Sequence, residues 1–196
     1  LGDGTAINRN SPIQIGTDTD WATVATDWNH TLAIKSDGSL WAWGWNDFGQ
    51  LGDGTNTDKN TPNQIGTDTD WKIITTGSNY TLAIKTNNSL WAWGENYYGQ
   101  HGDGTQINKN IPTQIGTDIN WKTIKGGYYH TAAIKSDNSL WAWGNNESGQ
   151  LGDGSYSHKT TPTQIGTDTD WKTIQAGQNH SLGIKSDGSL WAWGNN

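Results

Sequence analysis

Three histidines recur at one place in a chain of 196 residues: His30, His130 and His180, with Tyr80 where a fourth would stand. Imidazoles at equal intervals could converge on a metal ion. Tyr80 breaks the set, and no second ligand stands near any of the three in sequence. A structural imidazole bonded to a neighbouring unit accounts for them. Asp18 and Asp20, Asp68 and Asp70, and Asp168 and Asp170 make Asp-Thr-Asp turns. Alternate carboxylates can hold calcium, but the longer loop with a closing Glu is missing, and turn formation and solubility explain them. The turns Gly52-Asp53-Gly54 and Gly152-Asp153-Gly154 are not phosphate loops, since neither Gly-Lys-Ser/Thr nor a helix follows. Every Ser, His or Asp that could serve a nucleophilic triad repeats as a fold element, whereas a nucleophile is needed once. No carboxylate pair is singled out for glycoside chemistry. No catalytic residue, metal ligand set or cofactor is therefore expected. His101 and His158 stand alone and are expected at the surface.

The remaining candidates are aromatic. Of 14 Trp, twelve recur at fixed positions, as Trp21, Trp41 and Trp43 and their equivalents fifty residues on. Residues kept by internal symmetry are packing residues. Trp28 and Trp45 are not repeated, and neither are Phe48, Tyr80, Tyr97, Tyr98, Tyr128, Tyr129 or Tyr156. All nine fall in three variable windows: around 27–30, around 45–48, and after Gly-Asp-Gly at 55–60, with their equivalents. Stacked repeats bring equivalent loops to one face, so these rings are expected to gather into rim patches. Trp and Tyr offer large rigid area at little entropy cost, which suits a protein surface or a sugar ring.

The elements that position these loops are short strands. In the first copy Pro12–Ile15, Trp21–Ala25, His30–Lys35 and Ser39–Trp43 alternate or are β-branched, with polar turns between. Ser36-Asp37-Gly38 reads as a hairpin in which Gly supplies the positive φ. Four strands at roughly ten-residue spacing make an antiparallel sheet. Period two puts Trp41 and Trp43 on one face and Leu40 and Ala42 on the other. Large residues opposite small ones suit sheets stacked face to face, each filling its neighbour's hollow. The unit is written four times, at 1–50, 51–100, 101–150 and 151–196, and a unit of this length cannot bury its apolar face alone. The expectation is an all-β chain of four tandem, four-stranded, antiparallel β-propeller-type blades, as a partial ring or half of a larger one.

Composition decides what this array is made of. Leu, Ile, Val and Phe together supply roughly 15% of the chain, and with a net charge of −7 that leans towards disorder. The indoles tip the balance back to a packed fold, because each buried Trp removes roughly 150–250 Å² from water. The core is carried by indoles. There is no Cys, hence no disulfide and no thiolate metal site. An acidic chain with scattered Lys and Arg is a poor binder of nucleic acid and of anionic membrane surfaces. No apolar run approaches the ~20 residues of a membrane span, so no membrane insertion is expected. The chain opens within the repeat pattern and stops before a further copy, which reads as a segment of a longer array or a matured product.

Trp171, Ile174, Gly177 and His180, then Asp187, Gly188, Leu190, Trp191, Trp193, Gly194 and Asn195, carry a pattern that resembles the regulator of chromosome condensation repeat. The resemblance runs over the whole chain. It implies propeller blades, in a family that typically closes rings of seven; four blades imply a fragment of a longer ring, two chains making eight blades, or a ring that does not close. The wording of the repeats is similar to the bacterial branch, which implies secretion or display at a cell surface. Family members exchange nucleotide on a small GTPase, sense ultraviolet light in plants, or inhibit a β-lactamase. The plant receptor's Gly-Trp-Arg-His-Thr stretches match Asp27-Trp28-Asn29-His30-Thr31 here, once and without Arg, so photoreception is not implied. No nucleotide-exchange residue maps onto this chain. Asp27 stands where other copies have Gly77, Gly127 and Gly177, and an altered turn is expected there.

Two functions of different class follow. One is a non-enzymatic recognition and scaffold module that binds a protein or glycan through its rim loops. The other is a structural array that self-associates through blade edges into an eight-bladed dimer or a filament; a designed or recently amplified symmetric propeller has the same appearance. An enzyme is the reading the residues support least.

Overall fold

The computed structural model describes residues 1–196 and contains strands, turns and no helix. The first blade comprises β1 (Trp21–Thr26), β2 (His30–Lys35), β3 (Leu40–Gly44) and β4 (Lys59–Gln64). The second comprises β5 (Trp71–Thr76), β6 (Tyr80–Lys85), β7 (Leu90–Gly94) and β8 (Lys109–Gln114). The third comprises β9 (Trp121–Gly126), β10 (His130–Lys135), β11 (Leu140–Gly144) and β12 (Lys159–Gln164). The fourth has β13 (Trp171–Ala176), β14 (His180–Lys185) and β15 (Leu190–Gly194). Within each blade the strands are antiparallel and in sequence order. The all-β, four-blade expectation holds.

The phase of the repeat differs from the sequence reading. The Pro-containing strand of each copy is the outer strand of the preceding blade: β4 pairs with β3 through Trp41↔Gln64 and Ala42↔Asn63. It also begins earlier than its apolar residues suggest, at Lys59. In the first copy Pro12–Ile15 forms no strand, because no third strand in this chain precedes it to pair with. Blades therefore run from the Trp21 class to the Gln64 class, about twenty residues out of step with the written repeat.

Blade packing follows from period two. Leu32, Ile34, Leu40 and Ala42 of blade 1, with Leu51 and Ile65, meet Trp71, Ile74, Ala83 and Trp93 of blade 2. Blades 2 and 3 repeat the pattern, with Trp121 and Trp143 as the facing indoles. Within a blade the indoles meet edge to face, as Trp71 does with Trp91 at 5.6 Å and Trp93 at 5.9 Å. The hairpin turn needs a left-handed residue, which is Gly38 at φ 83°, Asn88 at 62°, Asn138 at 63° and Gly188 at 87°. Gly and Asn are the residues that adopt that region at least cost.

The twelve framework indoles are not equally buried, which corrects the sequence picture of uniform mortar. Trp43, Trp71, Trp93, Trp121, Trp143 and Trp171 are buried. Trp41, Trp91 and Trp141 are half-buried, because they line the lower edge of the sheet and hold a lysine there. Lys85 Nζ sits 4.6 Å from the centroids of both Trp71 and Trp91. It also pairs with Asp68 at 2.5 Å and Asp70 at 2.9 Å. The cage recurs at Lys35, Lys135 and Lys185. The Asp-Thr-Asp turns are thus ion-pair partners as well as turns. Burial lowers the Lys85 pKa, but its two carboxylates outweigh burial and leave it raised. In blade 4, Leu190 is 70% and Trp191 47% exposed, since no blade of this chain covers that face.

Candidate functional site

Strand connectivity divides the loops between two faces. The 36–38 hairpins and the 65–70 turns lie at one end of the strands, with the lysine cages. The 27–29 loops (strands one to two) and the 45–58 loops (strands three to four) lie at the other, where Trp45 N–H donates to the Asn29 carbonyl. All three variable windows therefore open on the same face.

Those loops are held rigidly by framework polar groups. Asn46 is fully buried; its Nδ2 donates to Asp53, Thr55 and Thr57, and its Oδ1 accepts from Leu51 N–H. Asn96 and Asn146 repeat this. Each Asn N–H in turn donates to Asp58, Asn108 or His158. Asp53 pairs with Lys59 at 3.1 Å. With the loop backbone fixed from below, the side chains at 45, 47, 48, 56 and their equivalents are free to vary.

The copy-specific rings form a connected chain across three blades. Trp28 of blade 1 meets Tyr128 of blade 3 at 5.6 Å, edge to face. Tyr128 meets Tyr129 at 4.4 Å, and Tyr129 meets Tyr98 of blade 2 at 4.9 Å. Tyr98 then contacts Tyr97 at 5.2 Å and His158 at 5.2 Å. Trp28 is 64% and Tyr97 67% exposed, and Tyr98, Tyr128 and Tyr129 are less exposed. A cavity of about 220 Å³ beside Trp28 is lined by Asp27, Gly127, Tyr128, Gly177 and Gln178. Trp45 and Phe48 make a separate pair at 5.4 Å. Tyr156 is exposed and stands apart from the chain of rings.

Tyr80 is the exception among the nine. It is fully buried, and its hydroxyl donates to the His130 carbonyl at 2.5 Å. It fills the slot that His30 and His130 fill elsewhere, bridging to the next blade as His30 Nε2 does to Thr81 Oγ1 at 3.1 Å and His130 Nε2 to Ser181 Oγ at 2.9 Å. His30 and His130 are structural, as their recurrence implied, whereas His180 is exposed, with no further blade of this chain beside it. Burial lowers the His30 and His130 pKa values to about 4. Tyr80 belongs with them and not with the rim.

Two carboxylates border the ring chain. Glu95 is about nine-tenths buried, accepts from Asn79 Nδ2 at 3.0 Å, and has its pKa raised by desolvation against that hydrogen bond. Desolvation also raises Asp27, with a Trp28 backbone N–H opposing. Burial pushes up the Tyr98 and Tyr129 phenols, joined foremost by the Glu147 charge at Tyr98 and by the Glu95 charge at Tyr129. Asp27 changes the local turn, as expected. Gly77 N–H and Gly127 N–H donate to the carbonyls of Tyr80 and His130, whereas the His30 carbonyl accepts from Thr26 Oγ1. The glycines do not have positive φ; they are small because the Tyr80 and His130 rings lie over them.

Sequence reasoning missed Glu95 and misplaced His101. The signal for Glu95 was its singularity, since Trp45, Asn145 and Asn195 hold its place in the other copies. His101 is not at the surface: it occupies the fully buried Leu51 position. Both ring nitrogens lack hydrogen-bond partners, and burial lowers its pKa to about 4. His158 is exposed but holds Asn146 N–H through Nδ1 at 3.0 Å. No group of three or more His, Cys, Asp or Glu side chains is arranged to hold a metal ion, and no helix is long and apolar enough to cross a membrane.

The sequence model of the RCC1-like domain matches residues 1–196. Among curated proteins, the ultraviolet-B receptor UVR8 of Arabidopsis thaliana is 54% identical over 28 residues, 14% of this chain and 6% of that protein. Among solved structures, human WBSCR16 superposes with a TM-score of 0.82 at 22% identity, over 100% of this chain and 55% of that one. Prp20p of Saccharomyces cerevisiae, described with binding properties to Gsp1p and histones, superposes with a TM-score of 0.82 at 23% identity, over 95% of this chain and 48% of that one. The chain thus spans about half the length of these two propellers, and the likeness is one of fold.

Proposed function

We infer function from a premise of family, since the chain belongs to the RCC1-like domain family: it is a non-enzymatic recognition module that binds a partner polypeptide on the face carrying the variable loops. RCC1-like propellers commonly mediate protein interaction, and a fold by itself selects no partner. The observation that carries the reading is the unbroken run Trp28, Tyr128, Tyr129, Tyr98 and Tyr97 across three blades. None of these rings is a framework residue, and together they give the rigid aromatic surface that anchors interfaces. Selection of a random-peptide display library tests it. Peptides enriched on the wild type should lose binding to the variant Trp28→Ser, Tyr128→Gln, Tyr129→Asn, whose new residues are those of sister copies. Equal binding to both proteins places recognition elsewhere, and capture on a glycan array alone replaces the polypeptide by a sugar.

A second reading, assembly through blade edges, is favoured by the outer edge of β15. The matching edges of β3, β7 and β11 each pair with a fourth strand, and Arg9–Gln14, the counterpart of Lys159–Gln164, forms no strand in this chain. A second copy can supply the missing strand. Light scattering on the 196-residue chain separates a 21.4 kDa monomer from a multiple of it.

A further inference from the structure

The acidic residues of this protein fall into two groups. Framework carboxylates recur in several copies and are either matched to cations, as Asp68 and Asp70 are to Lys85, Asp53 to Lys59, Asp103 to Lys109 and Asp153 to Lys159, or held by a serine, as Asp37, Asp137 and Asp187 are. Asp27 and Glu95 belong to neither pattern. Each is singular in its column, replacing Gly in one case and Trp or Asn in the other. Neither is ion-paired. Glu95 is about nine-tenths buried and held by Asn79, whereas Asp27 is exposed and lines the cavity beside Trp28, where an incoming cation can reach it.

The protein's opposite face shows how this chain holds a cation. There Lys85 lies against two indoles 77° apart, with two carboxylates on its ammonium. The variable face has the same parts without the lysine. Trp28 and Tyr128 stand 80° apart beside Asp27. From Tyr128 the rings continue to Tyr129 at 4.4 Å and on to Tyr98 at 4.9 Å.

We propose that the occupant of this face is a polypeptide segment bearing basic side chains, one of them seated against Asp27, Trp28 and Tyr128. This rests on the recognition reading and specifies its ligand. Aromatic faces attract ammonium and guanidinium groups through the ring quadrupole, and the net charge of −7 steers basic segments towards the protein. Arginine fits better than lysine, because its planar guanidinium can stack on a ring while donating to a carboxylate.

Fluorescein-labelled tetraarginine, followed by anisotropy on the full chain, tests the proposal. Asp27→Gly should weaken binding about fivefold to tenfold, the size of one cation–π and carboxylate contact. Trp28→Ser should weaken it similarly. Asp137→Asn is the control: it removes the same charge on the opposite face and installs the residue that copy two carries as Asn87, so affinity should hold within about twofold. Equal loss in both charge variants marks non-specific attraction and overturns the proposal, as does failure of tetraarginine to bind. A neutral peptide that Trp28→Ser releases while Asp27→Gly retains it removes the basic occupant but leaves the recognition reading standing.

Discussion

Replacing His101 by leucine, the residue at the same place in two sister copies, isolates one buried imidazole in an otherwise repeated environment. Leu51 and Leu151 are fully buried at the equivalent positions, so the cavity accepts a leucine. His101 brings two ring nitrogens without hydrogen-bond partners into that space. Leaving such a group unsatisfied costs about 1–3 kcal/mol, and His101→Leu should recover an amount of that order at about pH 7.5. The gain should grow in acid. The His101 pKa falls from 6.5 to about 4 on folding because of burial, with Asp103 favouring the charged form and Lys109 opposing it. The neutral ring is thus the form the fold prefers. Its contribution is complete above the unfolded pKa and is lost as pH drops through the window from 6.5 to about 4. At ~1.4 kcal/mol per pKa unit the loss approaches about 3 kcal/mol. Urea unfolding at about pH 7.5 and about pH 4.5 gives both quantities from one pair of proteins. The variant should be more stable at both pH values, with the larger margin in acid. A variant less stable at the higher pH, or one whose acid sensitivity equals the wild type's, refutes the reasoning.

Other outcomes follow from the same structure. Trp93→Ala, which empties the interface between blades 1 and 2, should cost about 3–5 kcal/mol in urea unfolding. Lys85→Met should lose about 1–2 kcal/mol, with the ion-pair share shrinking in about 1 M salt; salt-independent loss would reduce the cage to packing. The raised pKa values of Lys35, held chiefly by Asp18, and of Lys185, held chiefly by Asp168, set the sign in base. Their contribution persists below the unfolded value and disappears as pH rises through the raised one, so thermal melts should fall steeply only above about pH 10.5. Tyr80→His, which restores the residue of the sister copies, should change stability by less than about 1.5 kcal/mol, while Tyr80→Leu removes the bond to the His130 carbonyl and should cost more.

Much of this architecture was legible because symmetry separates framework from variation. Trp41 and Trp43 opposite Leu40 and Ala42 gave the blade faces, and Gly38 gave the hairpin before Asn88 and Asn138 showed that asparagine serves equally. The phase of the blades was hidden. Periodicity fixes the length of a repeat and not where a sheet begins, so nothing local told Lys59–Gln64 to join the copy before it. The lysine cages were present in the fixed spacing of Asp68, Asp70 and Lys85, but only the fold brings Trp71 and Trp91 around the ammonium. Departures from symmetry cut both ways. In Trp28 and Tyr129 they mark variation on the loop face; in Tyr80 and His101 they mark substitutions swallowed by the core, and sequence position alone does not distinguish the two. Glu95 escaped notice because its column mixes Trp, Glu and Asn, and its burial against Asn79 is a tertiary fact.

The central claim is that the repeated residues carry the fold and the copy-specific rings carry recognition. Urea unfolding of the variant Trp28→Ser tests it most directly. The account predicts an unfolding free energy within about 1.5 kcal/mol of the wild type, the worth of its one edge-to-face contact, with Tyr128. A loss comparable to that of Trp93→Ala would show that this ring is core and contradict the claim.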